Sequence, residues 1–170
     1  LFYPTSSESV LAESTYRFGF KGITAGNWLA SKLHGDYGMQ TSAFDFGAEQ
    51  GNYRVLNTGR RNAVFFYARP ETPRRGFELG IMALTLLARS RPDIDIILAG
   101  QDLRKTAVPF RHESQGNLQV GQLNEIYNKC AAGLVLSLSN MSLLPLELLS
   151  AVVIPVVNDG DNNRLVSDNP

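Results

Sequence analysis

Arginine is dense in one short stretch of this chain, where Arg54, Arg60, Arg61, Arg69, Arg74 and Arg75 stand against a single acid, Glu71. A guanidinium is a planar fork of donors that matches the oxygens of a phosphate. Arg54, Arg60 and Arg61 read as a solvated loop or as a clamp between lobes. Arg69 and Arg75, with Arg74 between them, stand elsewhere, on the turn from a strand's carboxyl end to a helix start. Two guanidiniums and a helix dipole there would neutralise a diphosphate. A second cluster, Ser137, Ser139, Asn140 and Ser142 followed by Glu147, offers groups for a hydroxyl-bearing ligand. Pro145 suits a first helical position, which puts Glu147 at the third. A Glu there serves equally as a helix-start acid or as an acceptor for ligand hydroxyls. Asn140 and Ser142 have a similar second reading as cap residues.

The elements that must position these groups follow from apolar patterning. Ala63 to Ala68 is a short run of β-branched and aromatic residues, read as a buried strand that ends at Arg69-Pro70. Phe77, Ile81, Leu84, Leu87 and Ala88 recur at helical spacing, and the helix stops near Arg91-Pro92. Ile94 to Ala99, ending at Gly100, reads as a second strand, and residues 101–116 as a loop or irregular crossover. Leu123, Ile126, Tyr127 and Cys130 mark one face of a further helix. Residues 132–138 read as a third strand, 146–153 as a helix and 154–158 as another strand. Alternation of this kind predicts right-handed crossovers and a parallel sheet covered on both faces, a Rossmann-like α/β domain. In such a sheet ligands sit beyond the carboxyl ends of the strands, where both polar clusters fall.

Residues 1–50 fit that pattern less well. Gly22 to Gly26 reads as a strand end, 27–33 as a short helix and 41–47 as a strand or linker, so this part is expected to be the tail of a neighbouring lobe, with the domain proper over 51–170. The chain is expected to be a fragment.

Composition narrows the function classes. The 170 residues are 44% hydrophobic and 19% charged, enough apolar side chain for a core. Lys+Arg and Asp+Glu are 16 each, so no overall basic field argues for nucleic acid. The single Cys excludes an internal disulfide and a cysteine-ligated zinc. No apolar run reaches a membrane span, and a soluble chain is expected. His34 and His112 lack a metal-ligand pattern, and neither is expected to be catalytic. Cys130 reads as a core filler, and Trp28, Tyr67 and Tyr127 as packing residues, with Tyr67 beside the binding end of its strand. Gly100 reads as small so that a ligand or neighbouring backbone approaches closely. Neither a GxGxxG fingerprint nor a P-loop is present.

The segments Phe66-Tyr67-Ala68-Arg69-Pro70, Pro73-Arg74-Arg75-Gly76-Phe77-Glu78-Leu79-Gly80 and 137–147 resemble the donor-binding half of WsaF-type rhamnosyltransferases, GT-B glycosyltransferases similar to family 4. Residues 22–30 resemble the end of that family's N-terminal lobe. The resemblance implies transfer of a sugar, L-rhamnose from dTDP-rhamnose, onto a bacterial surface polysaccharide, by a cytoplasmic enzyme in which peripheral attachment to the inner membrane face is open. It implies that the diphosphate is bound by Arg69 and by Arg75, the latter in place of a family Lys, and that Glu147, the second acid of a Glu-x7-Glu motif, holds the ribose. The motif's first acid falls on Ser139, which cannot ionise. Val152 stands in a small-residue turn that usually contains Gly. The implied partners are a nucleotide-sugar donor, a glycan or lipid-linked glycan acceptor and the missing N-terminal lobe, with no metal or cofactor and no turnover by this piece alone. A sugar-nucleotide epimerase of GT-B fold stays open as an alternative. So does a non-catalytic α/β module of the response-regulator kind, although that class needs acids where this sequence has arginines.

Overall fold

The computed structural model describes residues 6–45, 47–139, 143–160 and 163. These fall into two compact units: residues 6–45 with 159, 160 and 163, and residues 47–139 with 143–158. The smaller unit holds helix α1 (Ser9–Ser14), strand β1 (Gly22–Ala25), helix α2 (Asn27–Tyr37) and strand β2 (Thr41–Phe44). β1 and β2 pair in parallel, which makes a βαβ unit. Among its described residues Leu33, Thr24 and Asn163 are buried.

The larger unit holds β3 (Ala63–Tyr67), α3 (Phe77–Ser90), β4 (Asp95–Ala99), β5 (Glu113–Ser114), α4 (Val120–Tyr127), β6 (Cys130–Val135), α5 (Leu144–Ser150) and β7 (Ile154–Val157). Its strands form one parallel sheet in the order β5-β4-β3-β6-β7. Phe65 and Phe66, adjacent in β3, point to opposite faces, and both are buried because each face is covered. On one face Phe66 joins Phe77, Leu84, Ile96 and Leu98, with Ile81, Leu87 and Ala88 packed against them. This is the helical stripe expected of α3. Gly80 lets α3 close on the sheet, since a Cβ there would lie 2.2 Å from the Phe66 ring. On the other face Phe65 meets Tyr127 of α4 edge-on, with ring centroids 5.1 Å apart.

Several boundaries differ from the sequence expectation. Cys130 opens β6 instead of lying on the face of α4, because the helix ends at Asn128, whose side chain is bonded to the segment before β3. β6 stops at Val135. Beyond it the backbone of Ser137 bonds to the Asn158 side chain in both directions, and Leu138 N–H donates to the Arg74 carbonyl, so these residues leave the ladder. α5 begins at Leu144 and ends at Ser150, because Val152 adopts φ 55° and closes the helix. β5 is new: two exposed residues on the sheet edge carry no apolar pattern to announce them.

Candidate functional site

The connections on the two sides of β3 run in opposite directions. From β3 the chain moves outward through β4 to β5, then crosses back by way of α4 to β6 and on to β7. The carboxyl ends of β3 and β6 therefore diverge at a switch point, and an open parallel sheet leaves a crevice there. A cavity of about 420 Å³ occupies this place. Tyr67, Arg69 and Arg75 line it from the β3–α3 side, and Tyr53, Tyr127 and Glu147 from the other, over an apolar floor that includes Leu134 and Leu136.

Arg69 is exposed. Its guanidinium lies over the Tyr67 ring, 4.6 Å from the centroid, and its Nη2 donates to the Tyr67 hydroxyl at 3.1 Å. Arg75 is half-buried at the end of a 3-10 turn (Pro73–Arg75) that leads through Gly76 into α3. Its Nη1 makes a long bond, 3.4 Å, to Ser137 Oγ. Burial, followed by the neighbouring Arg74 and Arg69 charges, lowers its proton affinity. Such crowding of cations is tolerated where an anion offsets it.

Glu147 belongs to the fourth position of α5, not the third, because the helix takes Leu144 as its first residue and Pro145 as its second. Proline suits either place, since neither N–H has an intrahelical acceptor. Glu147 Oε2 accepts the Tyr127 hydroxyl at 3.1 Å, and the Tyr53 phenol lies close enough to act electrostatically on the same carboxylate. Burial raises the pKa of Glu147 above the ordinary glutamate value, while the two phenols act in the opposite direction. Burial with the adjacent carboxylate pushes the Tyr53 phenol up to about 12, and Tyr127 is raised further for the same reasons.

Other candidates lie around this centre. Arg74, Ser139 and Gly100 are not among the residues that line the cavity. Gly100 has φ 111°, and a Cβ there would meet the Tyr67 ring at 3.2 Å and the Ala68 carbonyl at 3.1 Å, so its smallness serves the neighbouring chain. Asn140 and Ser142 fall outside the described residues. Arg61 is a clamp within this unit. It donates to the Ala151 and Val152 carbonyls at the end of α5 and to the Asn57 carbonyl. His112 Nδ1 bonds the Phe110 carbonyl, and His34, in the smaller unit, the Met39 carbonyl. Cys130 is buried, with its thiol pushed up to about 12 chiefly by that burial.

Tyr53, Asn124 and Asn128 are absent from the sequence-derived set. Asn128 Oδ1 accepts from Leu56 N, Asn57 N and Arg61 Nη2, while its Nδ2 donates to the Arg54 and Asn124 carbonyls. Asn124 Oδ1 accepts from Arg54 N at 3.0 Å. Together they bind the segment that carries Tyr53 to α4.

The fold and this crevice define a Rossmann-like α/β class of domain, with a cavity at the switch point beyond β3 and β6. Residues 62–170 match the family described as WsaF, C-terminal domain, and the chain belongs to that family, as a C-terminal domain of the WsaF-type GT-B glycosyltransferases. A curated relative, "O-antigen biosynthesis protein RfbC" of Myxococcus xanthus, is 33% identical over 170 residues, covering 96% of this chain and 13% of its own length. A solved structure, described as that of the GtfA/B complex, superposes with a TM-score of 0.60 at 14% identity, over 85% of this chain and 31% of its own. This chain thus spans a small part of the relative and about a third of the solved chain. The second likeness concerns the fold alone.

Proposed function

We propose that this domain binds the nucleotide-sugar donor of a glycosyltransferase, L-rhamnose carried as dTDP-rhamnose, for addition to a bacterial surface polysaccharide. The observation that carries the reading is the convergence of Arg69, Arg75 and Glu147 on one cavity at the switch point of the sheet. In the reaction the bond from the anomeric carbon to the diphosphate oxygen breaks, and a bond from that carbon to an acceptor hydroxyl oxygen forms. The diphosphate leaves with the electron pair, and the acceptor proton passes to a base expected on the other lobe. Arg69 and Arg75 offset the charge that grows on the diphosphate, aided by the start of α3, and this supports a metal-independent transfer. Glu147 accepts from the pentose hydroxyls. The name of the RfbC relative supports an O-antigen or related glycan as acceptor. Among the described residues no helix is long and apolar enough to cross a membrane. We place the enzyme in the cytoplasm, where nucleotide sugars are the donors, with the acceptor presented at the inner membrane face.

Calorimetric titration with dTDP and with thymidine tests the donor site. Arg69→Ala and Arg75→Ala are each expected to weaken dTDP about ten- to a hundredfold, the value of a charge-assisted bond, and to leave thymidine unchanged. Equal loss for both ligands contradicts the diphosphate role. Product analysis with the full-length protein, with and without acceptor, separates transfer from epimerisation of the donor.

A further inference from the structure

The Tyr127 side chain is fully buried, yet it carries a hydroxyl where phenylalanine would fill the same space. A buried phenol needs a partner, and here the partner is the Glu147 carboxylate that lines the cavity. The Tyr53 ring stacks on Tyr127 with centroids 5.9 Å apart and planes 26° from parallel, and Tyr53 lines the same cavity as the carboxylate. Phe65 backs Tyr127 from the sheet. The backbone around Tyr53 is fixed by Asn124 and Asn128. One hydroxyl is thus bonded to this flexible side chain, and the ring that bears it is backed by a second tyrosine from a separate segment.

We infer that Tyr53 and Tyr127 are positioning residues that hold the Glu147 carboxylate in one orientation, with its remaining lone pairs turned to the pentose hydroxyls of a nucleotide. The inference rests on the reading of Glu147 as the acceptor for those hydroxyls. A glutamate has three rotatable bonds, and a group that is already oriented loses less freedom when the ligand arrives. Ionised, a carboxylate offers about four acceptor positions, so the Tyr127 phenol leaves room for a sugar's hydroxyls. The two phenols favour the charged form against burial, which by itself would favour the proton. The groups that face Glu147 are Tyr127 of α4 and Tyr53 of the segment before β3, with Tyr67, Arg69 and Arg75 around the same cavity.

The test titrates the chain with thymidine and with dTDP at a series of pH values, in the unaltered form and as Tyr127→Phe, Tyr53→Phe and Glu147→Ala. Tyr127→Phe is expected to weaken both ligands alike, about five- to tenfold, the value of one hydrogen bond, and Tyr53→Phe to weaken both alike by less, about twofold. Each is also expected to raise the pH at which affinity is half lost on acidification. A purely structural role predicts a lower melting temperature with the affinity and pH midpoint of the folded protein unmoved, and that result overturns the inference. Should one variant fail to fold, the other decides. If Glu147→Ala weakens thymidine while both phenylalanine variants bind like the unaltered chain, the positioning role fails and the donor site stands. If Glu147→Ala binds like the unaltered chain, the carboxylate's assignment fails, and this inference with it.

Discussion

Across the cavity, Glu147 emerges from a wall of buried rings, whereas Arg69 reaches the same space from an exposed turn with one aromatic surface beneath it. On the carboxylate side Tyr127 and Tyr53 are both buried, and Asn128 alone makes bonds to Arg54, Leu56, Asn57, Arg61 and Asn124. On the arginine side Arg69 stacks on Tyr67 and Arg75 makes a long bond to Ser137. Recognition of a neutral hydroxyl depends on direction, so its acceptor gains from being fixed. A guanidinium neutralises a phosphate over a wider range of geometry, through charge as well as direction, and tolerates a looser seat.

The largest effect is expected where the rigid side is held. Asn128→Ala removes both halves of the side-chain amide from several partners at once, and should destabilise the larger unit by about 2–3 kcal/mol in chemical denaturation. Its loosening of Tyr53 should weaken thymidine and dTDP in equal proportion. A stability within about 0.5 kcal/mol of the unaltered chain, the scatter of ordinary surface changes, would mean that this side is not braced by Asn128.

Tyr67→Leu probes the opposite wall. It removes the surface under Arg69, worth about 0.5–1 kcal/mol at an exposed site, and should cost dTDP roughly two- to fivefold with little change in melting. A stability loss as large as that of Asn128→Ala would erase the contrast between the two sides.

Acid titration offers a subtler separation. Glu147 has its pKa raised in the folded state, so between its ordinary value and the raised one the folded chain binds more protons than the unfolded chain. Stability must then fall as pH rises through that window, and the penalty remains in full above it. Glu147→Gln abolishes this dependence and is expected to show a flatter pH–stability curve just above the ordinary glutamate range. An unchanged slope in urea denaturation across that range would show that Glu147 is not the group responsible.

The alternation of strands and helices was legible because buried parallel strands are continuous apolar runs, as Phe65 and Phe66 illustrate, and because α3 shows its stripe plainly. Arg69, Arg75 and Glu147 could be placed at one end of the sheet by the same logic. The brace behind Glu147 could not. Tyr53 lies in an irregular segment with no period to assign its direction, and asparagines on a helix ordinarily read as solvated. Only the return of residues 53–57 over α4 turns Asn124 and Asn128 inward. Cys130 continued the helical spacing of Leu123, Ile126 and Tyr127 by coincidence, and the helix end is set by what the Asn128 side chain binds, a tertiary fact.

The end of α5 furthest from the ligand groups supplies the smallest effect. Val153 N–H donates to the Leu148 carbonyl and Val152 N–H to that of Leu149, the paired bonds of a Schellman turn, in which the residue at Val152 must take a left-handed conformation. Glycine accepts it freely. A β-branched side chain does not, and the conformation costs an L-residue roughly 1–2 kcal/mol. Val152 is 68% exposed, so its replacement forfeits little packing. Against that stands the greater freedom glycine adds to the unfolded chain, about 0.5–1 kcal/mol. Val152→Gly should therefore raise stability by about 0.5–1 kcal/mol, read as a higher denaturant midpoint at constant slope. Since Arg61 already holds the Ala151 and Val152 carbonyls, the turn keeps its shape and nucleotide affinity should not move. A change in affinity without one in stability would mean that strain at this turn is transmitted along α5 to Glu147, and the carboxylate side would then be tensioned from its far end as well as braced from behind.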